Sequence, residues 1–532
     1  MNRKLRLYLG LATAVLLAGA ALWIGLAVAN NGAGARQPHA AGPDGSAMTL
    51  HLLIGGPATS RLPAPERDFV RQAIERKFNV RLSVTYTEPG NDYETKIAAL
   101  LSANDPPDMW LELSADGGAQ HALDNVLADM TYYVTPEKMP HYFKYWMNES
   151  ELRQYQFHNK FARAPIPYDK SSYRSYYIRK DWLDKLGLDV PDSYERYYNV
   201  LRAFTFNDPD GNGRADTYGF TTAGNGSRLS TDWPEYVKNG LLYPAYYADN
   251  RLIDMQMDSK VEQVVTDILR AMGDGVVDPD WFLNKGRQHI DKAVQGKVGI
   301  VLGDTLDFAF DANPDSLQSR SRAINPAADW VPFNPFGKQA IATASTPQYP
   351  FVYANNAAGL NPEKLERISQ ILDWLSGEEG FILTHYGLEN VHYTRKGSTL
   401  TLIPAKIDED IVQNGDFLKI WDFFTPDTPH VLGLTVIDPR RTERDRRIAD
   451  TLGRIPVYGG LGTTLTPPLG ISVEAMRARQ NELQVKMVFA DKSAKRWPEY
   501  REQIMTGYNG NVIFRQYEEK IRQAQSMRPA AN

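Results

Sequence analysis

Cysteine is absent from all 532 residues. Without it the chain has no disulfide framework, no cysteine nucleophile and no thioether-linked lipid. Histidine is scarce, at nine. No HExxH zinc motif, GxSxG nucleophile turn or Walker phosphate loop occurs, so no compact catalytic motif is on display. Basic runs are also missing: 59 Lys and Arg against 64 Asp and Glu leave a formal net charge of −5. Pairs such as Arg440-Arg441 and Arg446-Arg447 read as solvated helix faces, and that balance sets nucleic-acid binding aside.

What remains, 42% hydrophobic and 23% charged, is the composition of an ordinary globular protein. The chain is too long for one compact core, and two lobes behind a short leader fit usual domain sizes. Arg3, Lys4 and Arg6 precede an uncharged apolar run over 7–29, followed by a Gly/Ala spacer over 30–41. Ala27-Val28-Ala29 offers a cleavage site, yet the run approaches the ~20 residues that span a bilayer. It reads equally as a cleaved leader or as a single uncleaved anchor. Either way 42–532 is expected outside the membrane.

Along the chain, strands are expected at 48–55, 80–87 and 108–113, separated by helices at 65–78 and 92–101. This β-α-β-α-β order implies a mostly parallel, doubly wound sheet with ligand sites at the carboxyl ends of its strands. A second α/β unit opens with the strand 173–180 and helices 181–188 and 193–204. Further helices are expected at 261–272, 289–295, 362–376, 472–490 and 500–522, the last two split by Arg496-Trp497-Pro498, with a strand at 297–302.

The strongest local motif is 208–219 (DPDGNGRADTYG). In an EF-hand-like calcium loop, alternate residues turn oxygens inward, a glycine at position six permits the turn, and position seven offers its carbonyl. Asp208, Asp210, Asn212, Gly213, Arg214 (through its carbonyl) and Asp216 meet those positions. Position twelve is Gly219, so the usual bidentate glutamate is missing, and Asp216, Thr217 or a distant residue must complete the shell. Asp, Asn and Gly also favour turns with no metal at all. The expected role of calcium here is structural, since no general base stands beside the loop.

With that loop in place, the chain resembles extracellular solute-binding proteins of family 1, above all the large carbohydrate binders that include alginate-oligosaccharide-binding proteins. The resemblance runs in order through 177–191 (YIRKDWLDKLGLDVP), 197–204, 208–219, 273–279 (GDGVVDP) before Trp281, 296–301 (GKVGIV), 372–380 (LDWLSGEEG), 386–389 and 500–507 (YREQIMTG). It implies a two-lobed α/β fold of the type II periplasmic-binding kind, crossed more than once by the chain, in which the lobes close on ligand by hinge motion. It further implies an ABC-importer partner and calcium held by Asp208, Asp210, Asn212, the Arg214 carbonyl, Asp216 and Thr217. Relatives often carry an acidic residue where Thr217 stands, and a lipid-bearing cysteine that this chain lacks. The expected organisation is a signal or anchor at 1–41, first lobe at 42–172, second lobe with the calcium loop at 173–300, shared returning segments at 301–400, and second lobe with closing helices at 401–532.

Sugar clefts set aromatic faces against pyranose rings and polar groups against hydroxyls. Filtering the aromatics and charged groups by position at strand ends or in loops beside polar groups selects Trp110, Glu112, Arg174, Tyr176, Asp232, Trp233 and Asp304. The reading is a monomeric, noncatalytic binder of an oligosaccharide. Its rivals are an exported calcium-dependent polysaccharide-active enzyme, which would need two paired carboxylates, and a tethered ligand sensor.

Overall fold

β1 (Met48–Gly55), β2 (Val80–Thr87) and β3 (Met109–Leu111) alternate with helices Phe69–Phe78 and Asn91–Ser102. Leu50, Leu52, Leu53 and Ile54 of β1 are all buried, the continuous apolar pattern of a strand covered on both faces. The first helix begins where the Asp68 carboxylate accepts the Arg71 N–H at 3.0 Å. It ends at Asn79, which takes the left-handed conformation. The computed structural model describes residues 47–114, 117–156, 161, 163, 168–347, 350–355 and 361–526. The leader expected over 1–41 lies outside them. No helix among the described residues is long and apolar enough to cross a membrane.

The second α/β unit opens with β4 (Ser175–Arg179) and β5 (Tyr218–Phe220). β6 (Ala245–Ala248) and β7 (Arg251–Asp254) form a hairpin of their own, and β8 (Val298–Gly303), β9 (Trp330–Phe333) and β10 (Phe351–Tyr353) follow. They assemble into two four-stranded sheets, ordered β10-β3-β1-β2 and β5-β8-β4-β9. β3 runs parallel to β1 but antiparallel to β10. β4 runs antiparallel to both β8 and β9, while β5 is parallel to β8. Both sheets are therefore mixed, and in the second two of the three pairings are antiparallel, against the expectation of a mostly parallel sheet there. Strand–helix alternation fixes which elements are neighbours in sequence, not the direction in which a returning strand enters. A third, smaller sheet joins β11 (Tyr393–Lys396), β12 (Thr399–Leu402) and β13 (Thr435–Ile437).

The pleat of β4 divides the core of the second sheet. Tyr176 and Ile178 face one way, against Trp182, Phe204, Trp233 and Trp281. Tyr177 faces the other, against Trp330, Ile448 and Leu452. Thr49–Asn532 forms one compact unit that holds both sheets.

Two differences from the expected order stand out near the C-terminus. The helix expected over 500–522 is two, Trp497–Gly507 and Gly510–Ser526, broken at Asn509 with φ of 60°. Pro498 sits in the first turn of its helix, where a missing N–H costs nothing. The segment 417–424, expected in the second lobe, packs on the first: Trp421 Nε1 donates to Asp68 at 3.0 Å, and Phe423 meets Phe351 of β10 at 5.3 Å. Such long-range aromatic contacts leave no local period to read.

Candidate functional site

The carboxyl end of β8 and the entry to β4 lie side by side, because the two strands are antiparallel. Around them is a cavity of about 520 Å³ whose lining includes Arg174, Asp232 and Asp304, three of the seven residues selected from sequence. Arg174 Nη2 donates to the Thr231 carbonyl at 2.8 Å and to Asp232 Oδ1 at 3.3 Å. Its guanidinium also lies 4.2 Å from the centre of the Tyr243 ring. The other oxygen of Asp232 accepts from Thr222 Oγ1 at 2.9 Å. Tyr176 does not line the cavity; it is buried, and its hydroxyl donates to the Asp232 carbonyl at 3.0 Å. It acts as a strut beneath the wall.

Behind the wall, Asp278 accepts from Thr221 Oγ1 at 2.7 Å, from Asn284 Nδ2 at 3.0 Å and from Lys292 Nζ at 2.8 Å. Burial opposes its charge, but these partners prevail and hold its carboxyl below the usual range. Asn284 Nδ2 also donates to the Thr222 carbonyl at 2.9 Å, tying this buried network to the loop that orients Asp232.

Trp233 is in the core, edge-on to Trp281 at 5.1 Å, and offers no face to a cavity. Trp110 is likewise fully buried, its Nε1 3.2 Å from Glu112 Oε2. Glu112, just past β3, also accepts from the Ser114 N–H at 3.0 Å and lies 3.0 Å from His121 Nδ1. Burial works against its charge, yet the His121 and Ser114 bonds outweigh that and lower its pKa. Strand-end position alone could not separate these core aromatics from a cavity wall.

Two further cavities flank the sheets. One of about 340 Å³ lies past β3, between Ser114, His121 and the 467–474 segment. Another of about 400 Å³ lies between Glu151, Tyr168, Lys170 and the loops at 344–346 and 460–462. Here Thr463 Oγ1 donates to the Gln154 carbonyl at 2.6 Å and Ser345 Oγ to the Ser171 carbonyl at 3.0 Å. Several passes of the chain therefore meet at one place.

Glu235 stands three residues past Asp232 in the helix Pro234–Lys238. It is 1% exposed, and one oxygen accepts from Tyr194 at 2.8 Å. Burial pushes its carboxyl up to about 7, against the Tyr194 bond. Because this pKa is raised on folding, the folded chain keeps a proton between pH 4.5 and 7 that the unfolded chain releases. Stability attributable to Glu235 therefore falls as pH rises through that window. Glu235→Gln should flatten the fall, gaining about 3 kcal/mol over the parent at pH 8 relative to pH 4. Denaturant melts of both proteins across that range test this, and parallel pH profiles would refute it.

In the acidic loop, Asn212 Nδ2 lies 2.8 Å from Asp210 Oδ2 and 3.1 Å from Asp216 Oδ1. The Asn212 and Gly213 N–H groups point to the two Asp208 oxygens, each at 3.0 Å. Asp208, Gly211 and Gly213 all take positive φ, which coils the loop tightly. Among the described residues no three acidic or imidazole groups converge closely enough to hold a metal. Still, the donors brought together are hard oxygens, the chemistry calcium prefers. Thr217 is buried and its hydroxyl donates to the Phe204 carbonyl at 2.7 Å, which ties it to the helix before the loop. Gly219 also has a reason. A Cβ there would stand 2.6 Å from Leu201 Cα, so a glutamate at position twelve cannot be housed.

Residues 63–313 match the family model for bacterial extracellular solute-binding proteins. That segment belongs to the family. Among curated relatives, the polygalacturonan/rhamnogalacturonan-binding protein YtcQ of Bacillus subtilis is 22% identical over 347 residues, 62% of this chain and 64% of the relative. The fructooligosaccharide ABC transporter substrate-binding protein FusA of Streptococcus pneumoniae serotype 4 is 48% identical over 179 residues, 31% of this chain and 30% of the relative. The chain thus spans less than two thirds of either relative's length. Among solved structures, a solute-binding protein associated with an HMO-binding ABC transporter from Bifidobacterium longum infantis superposes with a TM-score of 0.67 at 15% identity, covering 89% of this chain and 98% of that one. That likeness is one of fold.

Sequence reasoning passed over Arg287, His289, Asp307 and Asp315, which line the largest of the three cavities. Asp307 follows β8 by a few residues, so the strand-end filter that found Asp304 could have reached it. Arg287 and His289 come from a loop and helix brought in by tertiary packing and carry no local signal.

Proposed function

We propose that this chain is the substrate-binding component of an ABC transporter, working outside the cytoplasmic membrane and reversibly holding an oligosaccharide between its lobes. The observation that carries the reading is the cavity at the end of β8, where Arg174, Asp232 and Asp304 converge in a family whose matched relatives are named for oligosaccharide and polysaccharide binding. Carboxylates and guanidinium groups fixed by a buried network are suited to orienting sugar hydroxyls. A permease pair in the membrane would receive the closed form, and the ligand would leave chemically unchanged.

Calorimetry against neutral and acidic oligosaccharides tests this. Saturable one-to-one binding with unaltered sugar is expected, with Asp304→Ala weakening it about tenfold or more, the scale of a lost charge-assisted hydrogen bond. New reducing ends or unsaturated products would instead identify an enzyme.

Calcium belongs to the same proposal. Asp208, Asp210, Asn212, the Arg214 carbonyl and Asp216 would hold it, fastening the loop between the helix Tyr194–Phe206 and β5. Titrating chelator-treated protein with calcium should show uptake of a single ion and a rise in Tm, since a ligand of the folded state stabilises it. Absence of uptake would end this part of the proposal and leave the sugar site standing.

A further inference from the structure

We infer that the cavity at the end of β8 selects neutral, hydroxyl-rich sugars and rejects uronate-bearing ones; this rests on the carbohydrate reading above. Four carboxylates line it, Asp232, Asp304, Asp307 and Asp315, against two guanidinium groups, Arg174 and Arg287. Arg174 is already committed to Asp232 and to the Thr231 carbonyl, and its face is covered by Tyr243. It therefore lacks the free fork with which arginine grips a carboxylate in two bonds. Asp307 accepts from Asn313 Nδ2 at 2.8 Å. None of Asp304, Asp307 and Asp315 has a cationic side chain within ion-pair distance among the described residues. His289 adds no charge at neutral pH, since burial lowers its pKa.

The neighbouring cavities do not supply what is missing. Past β3 the lining holds no Lys or Arg, and His121 lies against Glu112. In the cavity beside Tyr168, Lys170 is paired with Glu151 at 2.9 Å. Across these three cavities Arg287 is the one cation with no carboxylate partner among the described residues; Arg251, Arg501 and Arg515 line a separate cavity of about 380 Å³ together with Asp254, Asp258 and Glu518. A polyuronate brings one carboxylate per sugar, and each would meet like charge in a partly desolvated space. A neutral sugar brings hydroxyl donors, which carboxylates accept without competing protons of their own.

The test compares matched trisaccharides that differ only at C6: glucose, galactose and mannose oligomers against their uronate counterparts, by calorimetry at low and physiological salt. The expected result is that the best-bound neutral oligomer binds at least about tenfold more tightly than its uronate partner, with the gap narrowing as salt screens the repulsion. The exposed double variant Asp304→Asn, Asp315→Asn should close most of that gap by improving uronate binding. Tighter binding of any uronate than of its neutral partner overturns the inference and leaves the carbohydrate reading intact. No binding by either series overturns both.

Discussion

Asp445→Ala should lower stability by about 3–5 kcal/mol, because one buried carboxylate satisfies several backbone donors at once. Asp445 is fully buried and accepts from the N–H groups of Asp311 at 2.6 Å, Ala312 at 3.1 Å and Thr442 at 3.0 Å. Its own N–H donates to Thr442 Oγ1 at 3.2 Å, which completes a capping box at the start of the helix Glu443–Gly453. Alanine removes the cap and strands three donors. The consequence reaches the cavity, since Asn313, Asp315 and Ser316 in the same loop line it. Arg444 reinforces that loop through the Ala309 carbonyl at 2.7 Å and Asp329 at 3.0 Å. Asp445→Asn keeps one acceptor oxygen and should fall between parent and alanine variant. Equilibrium unfolding in denaturant measures both losses; an alanine variant within 1 kcal/mol of the parent would contradict the role assigned to this carboxylate.

The second large effect is at the other sheet. Lys364 Nζ lies 2.9 and 3.0 Å from the two oxygens of Asp108, and both side chains are buried. Asp108 also accepts the His51 N–H of β1 at 2.9 Å. The pair clamps the entry of β3 to the helix Pro362–Ser376 across 256 residues of chain. Lys364→Met leaves a buried carboxylate without its cation, and the expected loss is about 3–5 kcal/mol. Adding Asp108→Asn removes the uncompensated charge and should restore most of it. A double-mutant cycle reads this directly. If the double variant is as unstable as the two single losses summed, the stranded charge is not the cause.

Much of the scaffold was legible because it is local. Met48–Gly55 and Val80–Thr87 were found with their observed bounds, as was Pro362–Ser376, whose Asn361 cap accepts the Glu363 N–H at 3.1 Å. Period and punctuation are properties of a short stretch, so they survive without knowledge of the rest. Strand direction is not such a property, and the antiparallel entry of β4 went unread. Nor was the packing of 417–424 on the first sheet visible, since it depends on rings hundreds of residues away.

The site divides along the same line. Asp304 was reachable because it lies where a strand run stops, and Asp232 because it sits in a polar loop beside an aromatic, whereas Tyr176 is buried beneath the cavity wall and does not line it. Trp110 and Trp233 look identical in sequence to cleft aromatics; only the layers packed over them show that they are core. The sequence by itself determined the family motifs, the oxygen-rich spacing of 208–216 and the absence of cysteine, all carried by order along the chain. Tertiary structure decided that Thr217 is bound to Phe204, that Gly219 is held by the backbone of Leu201, and that the arginine beside the cavity is already paired. Those facts depend on which distant groups arrive within a few ångströms, and pairing and burial exist only once the chain has folded.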